Sequence, residues 1–108
     1  MTRGDIILVR ESGSPAAKPR PCVVVQRTSV LAASSKVTAC PLTSMLRGAE
    51  GQRPLVVPSE ANGLLEPSEI QVDWIYTFSI ERVGATIGRI DGGTMRQVDV
   101  ALRRWLEL

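Results

Sequence analysis

The chain has 108 residues, 44% of them hydrophobic and 22% charged, a balance typical of one soluble globular domain spanning 1–108. Histidine is absent and only two cysteines occur, which excludes histidine-based acid–base chemistry, most zinc sites and a disulfide framework. The net charge of +2 is too small to indicate nucleic-acid binding by itself, although arginine, whose planar fork matches phosphate, outnumbers lysine.

Nothing in the sequence predicts a membrane span or an export signal. No stretch approaches the roughly 20 apolar residues that a spanning helix needs. The first five residues lead directly into a strand pattern, so we expect no signal peptide. These features predict a cytoplasmic protein without a membrane partner, in which Cys22 and Cys40 are reduced and buried.

The first half of the chain predicts short strands. Aromatic residues make up only 4%, so the core has to come from Val, Ile and Leu, which favours strands. Strands are predicted over 5–9, 21–26, 37–42 and 55–57, with loops over 11–19, 27–36 and 47–53. The unbroken apolar run in the second strand indicates burial on both faces. Pro41 predicts a sheet edge or a bulge at the end of the third.

The second half predicts more strand and one long helix. Asn62-Gly63 indicates a tight turn, and alternation over 68–78 predicts one continuous strand. A helical turn over 80–83 and a small strand over 86–90 follow. Thr94, with Gln97 three residues later, forms a capping-box pattern that predicts the start of a helix. The apolar stripe of that helix is Met95, Val98, Leu102 and Trp105. The fold class expected is mainly β, a small antiparallel barrel with a C-terminal α-helix.

Two segments stand out because the predicted strand order brings them together. Lys18-Pro19-Arg20-Pro21 precedes the second strand, and Pro41-Leu42-Thr43-Ser44 ends the third. If these strands are antiparallel neighbours, Arg20 and Thr43 meet at one rim of the barrel. The two prolines restrict the backbone around Arg20, which suits a preorganised role. The structural alternatives are a solvated arginine and a threonine bonded to its own backbone.

These segments, in their order and spacing, resemble the MazF/PemK family of toxin ribonucleases, nearly end to end. The resemblance is carried by Lys18-Pro19-Arg20-Pro21 with Val23-Val24-Val25-Gln26, by Pro41-Leu42-Thr43-Ser44, and by Arg3-Gly4-Asp5-Ile6, Asn62-Gly63-Leu64, Ser68-Glu69-Ile70, Val72-Asp73 and Ile87-Gly88-Arg89-Ile90. It implies an SH3-like, CcdB/MazF-like antiparallel barrel, usually a homodimer. The implied activity is sequence-specific, metal-independent cleavage of single-stranded RNA without a cofactor. The implied partner is a short, acidic, partly disordered antitoxin, through which alone DNA is contacted.

The resemblance assigns catalysis to Arg20 and Thr43, and RNA chemistry explains why two such residues can suffice. The nucleophile is the 2′-OH beside each phosphate, so no external water has to be activated. Arg20 can donate two hydrogen bonds to phosphate oxygens, and Thr43 can add a third or position the 2′-OH. Arginine stays protonated, so Arg20 suits the acid for the leaving 5′-oxygen rather than the base. The expected products are a 2′,3′-cyclic phosphate and a 5′-OH end.

Four more residues are predicted to contact substrate. Lys18 and Arg27 flank the central motif and can neutralise phosphates, with solvated loop charges as the alternative. Ser44 offers a second hydroxyl, and Asp73 matches an acidic position of the family, where a substrate or a structural contact is expected.

Two features depart from the family pattern. Trp74 stands where the family often has Gln, and is interpreted as a core or dimer-interface residue or as a platform for a base. The loop over 11–17 is expected to overhang the groove and set the RNA sequence.

Two other functions stay open on the same fold. One is a toxin that binds DNA gyrase through the C-terminal helix, in which Arg20 and Thr43 are dispensable. The other is a non-catalytic RNA-binding module, which binds RNA and leaves it whole.

Overall fold

The computed structural model describes residues 1–10, 18–48 and 51–108. The whole of the loop over 11–17, which was predicted to overhang the groove, and Ala49 and Glu50 of the loop over 47–53 lie outside these residues. The described elements are β1 (Asp5–Val9), β2 (Arg20–Val24), α1 (Thr28–Leu31), β3 (Lys36–Thr43), β4 (Leu55–Val56), β5 (Ser68–Ile70), β6 (Tyr76–Ser79), β7 (Val83–Arg89) and α2 (Gly92–Leu106), with 3₁₀ helices at Val72–Trp74 and Ile80–Arg82.

The strands form one antiparallel sheet in the order β4-β5-β3-β2-β1-β7, and β6 pairs with β3 as well. The central strand β3 has β2 along one edge. Its other edge is shared, with β6 on the N-terminal half and β5 on the last two residues. This division bends the sheet into a half-barrel. The prediction of a mainly β, SH3-like antiparallel fold with a C-terminal helix is confirmed.

The prediction of one continuous strand over 68–78 is wrong. Its partner strand β3 contains Pro41, which has no N–H to donate into a ladder. Gln71 N donates to the Pro41 carbonyl at 2.9 Å, after which the chain leaves the ladder as a 3₁₀ helix and returns as β6 at Tyr76, opposite Ala39. The interruption expected from Pro41 therefore falls on the neighbouring strand, while β3 itself continues to Thr43.

Side chains of alternating parity build a hydrophobic cluster on each face of the sheet. The first cluster is covered by α2 and includes Val23, Cys40, Leu42, Ile70 and Val98. The second cluster is on the opposite face and consists of Ile7, Val9, Cys22, Val24, Leu31, Val37, Ala39 and Phe78. The expected double burial of β2 and the expected burial of both cysteines are confirmed.

Both helices differ in detail from their predictions. The predicted loop 27–36 contains the single turn α1, too short for a periodic signal, which buries Leu31 in the second cluster. Asp91, not Thr94, caps α2, because its carboxylate accepts from Thr94 N at 2.8 Å and from Thr94 Oγ1 at 3.0 Å. The apolar stripe is buried at Val98, whereas Trp105 is 57% exposed.

The predicted Asn62-Gly63 turn is confirmed and packs across β7. Asn62 is buried, and its side-chain carbonyl accepts from Ser59 N and Leu64 N while its amide donates to Val57 O. Gly63 has φ +67°, a left-handed conformation that favours glycine. Arg89 N donates to Ala61 O at 2.9 Å, which fastens this turn to the outer strand.

Candidate active site

The ladder between β2 and β3 runs toward the two predicted catalytic residues. The strands are antiparallel, with Cys22 opposite Pro41. Since β2 begins at Arg20 and β3 ends at Thr43, continuing that register by two residues aligns Arg20 with Thr43. Opposing residues of such a ladder have Cα atoms about 4.5–5.5 Å apart and side chains on the same face.

That face lies on the opposite side of the sheet from α2. Cys22 and Ala39 project into the second cluster, and the strand period of two places Arg20 and Thr43 on the same side. Arg20 is exposed and Thr43 half-buried, so a ligand reaches both from solvent.

A backbone N–H two residues further along the chain holds the Thr43 side chain, which agrees with the structural alternative stated for this residue. Its Oγ1 accepts from Met45 N at 3.1 Å, which fixes the side-chain rotamer. The hydroxyl hydrogen is not used in this contact, because the oxygen is the acceptor. The bond therefore orients Thr43 and is compatible with donation of its O–H to a ligand.

The other predicted substrate contacts divide into two groups. Lys18 and Ser44 are exposed and adjoin Arg20 and Thr43 in sequence, so they lie at the same end of the ladder. Arg27 precedes α1 at the opposite end of the ladder, about 20 Å from Arg20 along the strand direction. The structure does not bring Arg27 to the Arg20–Thr43 pair.

Asp73 is engaged in a forked ion pair. Arg53 Nε donates to one carboxylate oxygen at 3.0 Å and Nη2 to the other at 2.8 Å. The hydrogen bond from Arg53 lowers the pKa of the Asp73 carboxyl, and the same bond raises the pKa of Arg53. This pair ties the first 3₁₀ helix to the segment before β4, a structural role for Asp73.

Trp74 and Cys40 have opposite environments. Trp74 is 63% exposed, so its interpretation as a core residue is wrong. Burial raises the pKa of the Cys40 thiol to about 12, so this cysteine is protonated and unreactive at neutral pH.

A buried carboxylate that the sequence did not single out lies directly opposite Thr43. Glu69 of β5 pairs with Thr43 in the ladder and is only 3% exposed. Its carboxylate accepts from Arg47 N at 3.2 Å and from Gly48 N at 3.0 Å. A charged residue in a strand triplet usually points to solvent, so no sequence signal indicated its burial.

Two cavities in the described part of the chain lie away from this face. One of about 410 Å³ and one of about 260 Å³ run beside α2, lined by residues that include Pro54, Val100, Arg104 and Trp105. Over the described ranges, no three His, Cys, Asp or Glu side chains come together as a metal site. Over the same ranges, no helix has the length and apolarity to cross a membrane.

Comparisons with known proteins agree along nearly the whole chain. The family model described as PemK-like, MazF-like toxin of type II toxin–antitoxin system matches residues 2–106. A curated relative from Mycolicibacterium smegmatis, named probable endoribonuclease MazF, is 31% identical over 102 residues, covering 94% of this chain and 93% of the relative.

Solved structures show the same fold. The Mycobacterium tuberculosis toxin MazF-mt6 superposes with a TM-score of 0.80 at 24% identity, covering 95% of this chain and 97% of that one. A mycobacterial endoribonuclease in complex with its cognate antitoxin gives 0.81 at 21% identity, covering 100% and 96%. The chain belongs to the PemK-like, MazF-like toxins of type II toxin–antitoxin systems, a family that includes endoribonucleases.

Proposed function

We propose that this chain is a toxin endoribonuclease of the cytoplasm, cutting single-stranded RNA at a specific sequence without a metal ion or cofactor, and neutralised by a cognate antitoxin. Family membership and the relative named probable endoribonuclease support the activity. The observation that carries the catalytic assignment is the β2–β3 register, which, extended by two residues, aligns Arg20 with Thr43 on one accessible face.

The reaction is an internal transesterification. The 2′-oxygen attacks the adjacent phosphorus and releases its proton to solvent. The bond from phosphorus to the 5′-oxygen breaks, and that oxygen takes a proton from Arg20, which solvent then reprotonates. The products are a 2′,3′-cyclic phosphate and a 5′-OH end. The RNA supplies the nucleophile in place, which removes the entropic cost of bringing it to the phosphate.

Arg20 and Thr43 stabilise the charge that develops on phosphorus. The Arg20 guanidinium donates a forked pair of hydrogen bonds to the non-bridging oxygens and protonates the leaving 5′-oxygen. The Thr43 hydroxyl, oriented by Met45 N, donates a further bond. Lys18 and Ser44 extend the contact at the same end, and Arg27 and Asp73 are proposed as more distant substrate contacts.

A homodimer is proposed because the described chain leaves both a sheet edge and large apolar side chains uncovered. The edge strand β4 exposes Leu55 to 50%, and Trp74 is exposed to 63%. Pairing two copies covers such an edge. The antitoxin is expected to place an acidic, disordered segment over Arg20 and Thr43, where it competes with RNA.

The test is cleavage of a mixed RNA pool by purified protein, with sequencing of new 5′-OH ends. We expect cuts at one short motif, unaffected by chelator. Arg20→Ala and Thr43→Val each lower the rate by about 10²–10³, because each removes a donor to the transition state. Arg103→Ala, on the exposed side of α2, is the matched control and cuts at the wild-type rate. Circular dichroism confirms that each variant is folded. Wild-type rates in both site variants rule out the catalytic assignment.

A second candidate, binding of DNA gyrase, is favoured by the exposed C-terminal end of α2. Trp105 is 57%, Leu106 47% and Leu108 85% exposed. A supercoiling assay run beside the RNA digest separates the two functions. Inhibition of gyrase with intact RNA supports this alternative, and RNA cleavage with active gyrase supports the nuclease.

A further inference from the structure

We propose that Glu69 is a positioning residue of the active site, whose buried carboxylate anchors the loop over 44–48 and thereby fixes the Thr43 hydroxyl. This inference rests on the proposed function, because it assigns Glu69 a task in the reaction that Thr43 serves. It concerns a residue outside the Arg20 and Thr43 pair.

Burying the Glu69 carboxylate costs free energy that hydrogen bonds have to offset. Glu69 is 3% exposed on a strand whose next residue, Ile70, is fully buried. A carboxylate is stable in such a place only if hydrogen bonds replace its water. Its bonds within the described chain are donated by backbone N–H groups of the loop after Thr43. An apolar residue would fill this strand position without that demand.

The loop that receives the carboxylate presents two backbone N–H groups to it. Arg47 N and Gly48 N are consecutive, and both donate to the same carboxylate oxygen at 3.2 and 3.0 Å. Gly48 has φ +66°, so the chain turns directly after these two N–H groups and leads away from the carboxylate. Such a concave pair of amides binds an anion, and here the anion is Glu69.

The loop held by Glu69 also carries the N–H group that orients the Thr43 hydroxyl. Glu69 pairs with Thr43 across the β3–β5 ladder, and its carboxylate holds the loop four to five residues further on. Between these two points, Met45 N donates to Thr43 Oγ1 at 3.1 Å. Fixing both ends of the segment therefore fixes the donor that sets the Thr43 rotamer. Displacing a catalytic group by about 1 Å can cost about 10²-fold in rate.

The experiment compares Glu69→Gln with wild type and with Glu66→Gln, a matched change at an exposed glutamate just before β5. Three quantities are measured: the single-turnover cleavage rate, the affinity for an RNA made uncleavable by a 2′-deoxy nucleotide, and amide exchange along the loop. Glu69→Gln is expected to slow cleavage by about 10- to 100-fold. It is also expected to leave affinity unchanged and to speed exchange at Arg47 and Gly48. Glu66→Gln is expected to match wild type in all three.

Two results would overturn the inference. One is a wild-type cleavage rate in Glu69→Gln despite fast exchange at Arg47 and Gly48. The other is a loss of affinity as large as the loss of rate, because Glu69 would then serve RNA binding. If the wild-type protein cuts no RNA, the proposed function fails, and the wild-type arm alone identifies that outcome.

A variant on the loop side keeps the test decisive if Glu69→Gln does not fold. The Cβ of a residue at position 48 would meet no atom within 4 Å, so the main effect of Gly48→Val is on the backbone. A β-branched residue strongly disfavours the positive φ of Gly48, so the turn that follows the two amides has to change and their bonds to Glu69 are weakened. We expect the same pattern of slow cleavage with unchanged affinity, and a wild-type cleavage rate in this variant contradicts the proposal.

Discussion

Arg53 and Asp73 form a far more buried ion pair than Arg3 and Asp99. The side chains of the first pair are 7% and 27% exposed, and those of the second are 30% and 42% exposed. An exposed ion pair contributes little to stability because water solvates the two separated charges almost as well as the charges solvate each other. A buried guanidinium that loses its carboxylate keeps the full cost of leaving water. The Arg53–Asp73 pair is therefore expected to contribute more to stability than the Arg3–Asp99 pair.

Asp73→Asn is predicted to lower the free energy of unfolding by about 2–3 kcal/mol at pH 7, because it leaves Arg53 buried without a counter-charge. Asp99→Asn, the control in the exposed pair, is expected to cost about 0–1 kcal/mol. Urea unfolding of both variants measures the difference. Equal losses would show that burial of Arg53 contributes nothing.

The same pair predicts a pH dependence. The folded-state pKa of Asp73 is lowered, so its stabilising effect is complete above the unfolded-state pKa of about 3.9 and is lost as pH falls through the folded-state value. The gap in stability between wild type and Asp73→Asn should therefore narrow below about pH 4. Urea titrations at descending pH test this, and a gap that is constant under acid conditions contradicts it.

At the residue scale, Arg20 and Thr43 could be predicted from the sequence because each lies in a recognisable motif. The predicted order of the strands also placed the two residues close together. Glu69 could not be predicted in this way. The triplet Ser68-Glu69-Ile70 alternates like any half-exposed strand, and the burial of its glutamate depends on a loop more than twenty residues earlier in the chain folding over it. Contacts between distant segments leave no local pattern.

At the element scale, β7 is packed against the Asn62-Gly63 turn through Gly88. A Cβ built on Gly88 would lie 2.5 Å from Ala61 O and closer still to the backbone carbonyl of Asn62. These are backbone atoms, held by the bond from Arg89 N to Ala61 O, so the turn cannot give way as a side chain would. The packing of the Asn62-Gly63 turn against β7 thus requires a residue without a Cβ at position 88.

Gly88→Ala is predicted to destabilise the fold by about 3 kcal/mol or more, because the turn must detach from β7. Gly84→Ala on the same strand is the matched control. Its Cβ would lie 3.4 Å from Leu8 O, an ordinary contact, and the expected cost is below about 1 kcal/mol. Thermal unfolding of the two variants checks the pair, and similar midpoints would refute the packing argument.

Elements with a strong local period were predicted well, and elements set by a partner were not. The strand at Asp5–Val9 matches its prediction, and α2 begins within a few residues of its expected start. The strand predicted over 68–78 failed because its interruption is caused by Pro41 of the neighbouring β3. The alternation of polar and apolar residues within one segment carries no information about a proline on the neighbouring strand.

At the scale of the whole molecule, the distribution of cations matters more than their sum. A net charge of +2 gives little long-range attraction for RNA. Affinity for RNA has to come from cationic side chains that lie along the path of the RNA strand. The β2–β3 ladder carries exposed basic side chains at both ends. Lys18 and Arg20 lie at one end, and Arg27 at the other. We propose that a single RNA strand lying along this ladder contacts all three.

The salt dependence of RNA affinity tests that path. For single strands, the slope of log K against log salt concentration is about −0.7 per neutralised phosphate. Lys18→Ala and Arg27→Ala are each predicted to reduce the slope by about 0.7 on an uncleavable RNA and to weaken binding alike across sequences. Arg103→Ala on α2 should leave the slope unchanged. A reduced slope for Lys18→Ala alone would confine the RNA to the Arg20–Thr43 end, and Arg27 would then no longer count as a substrate contact.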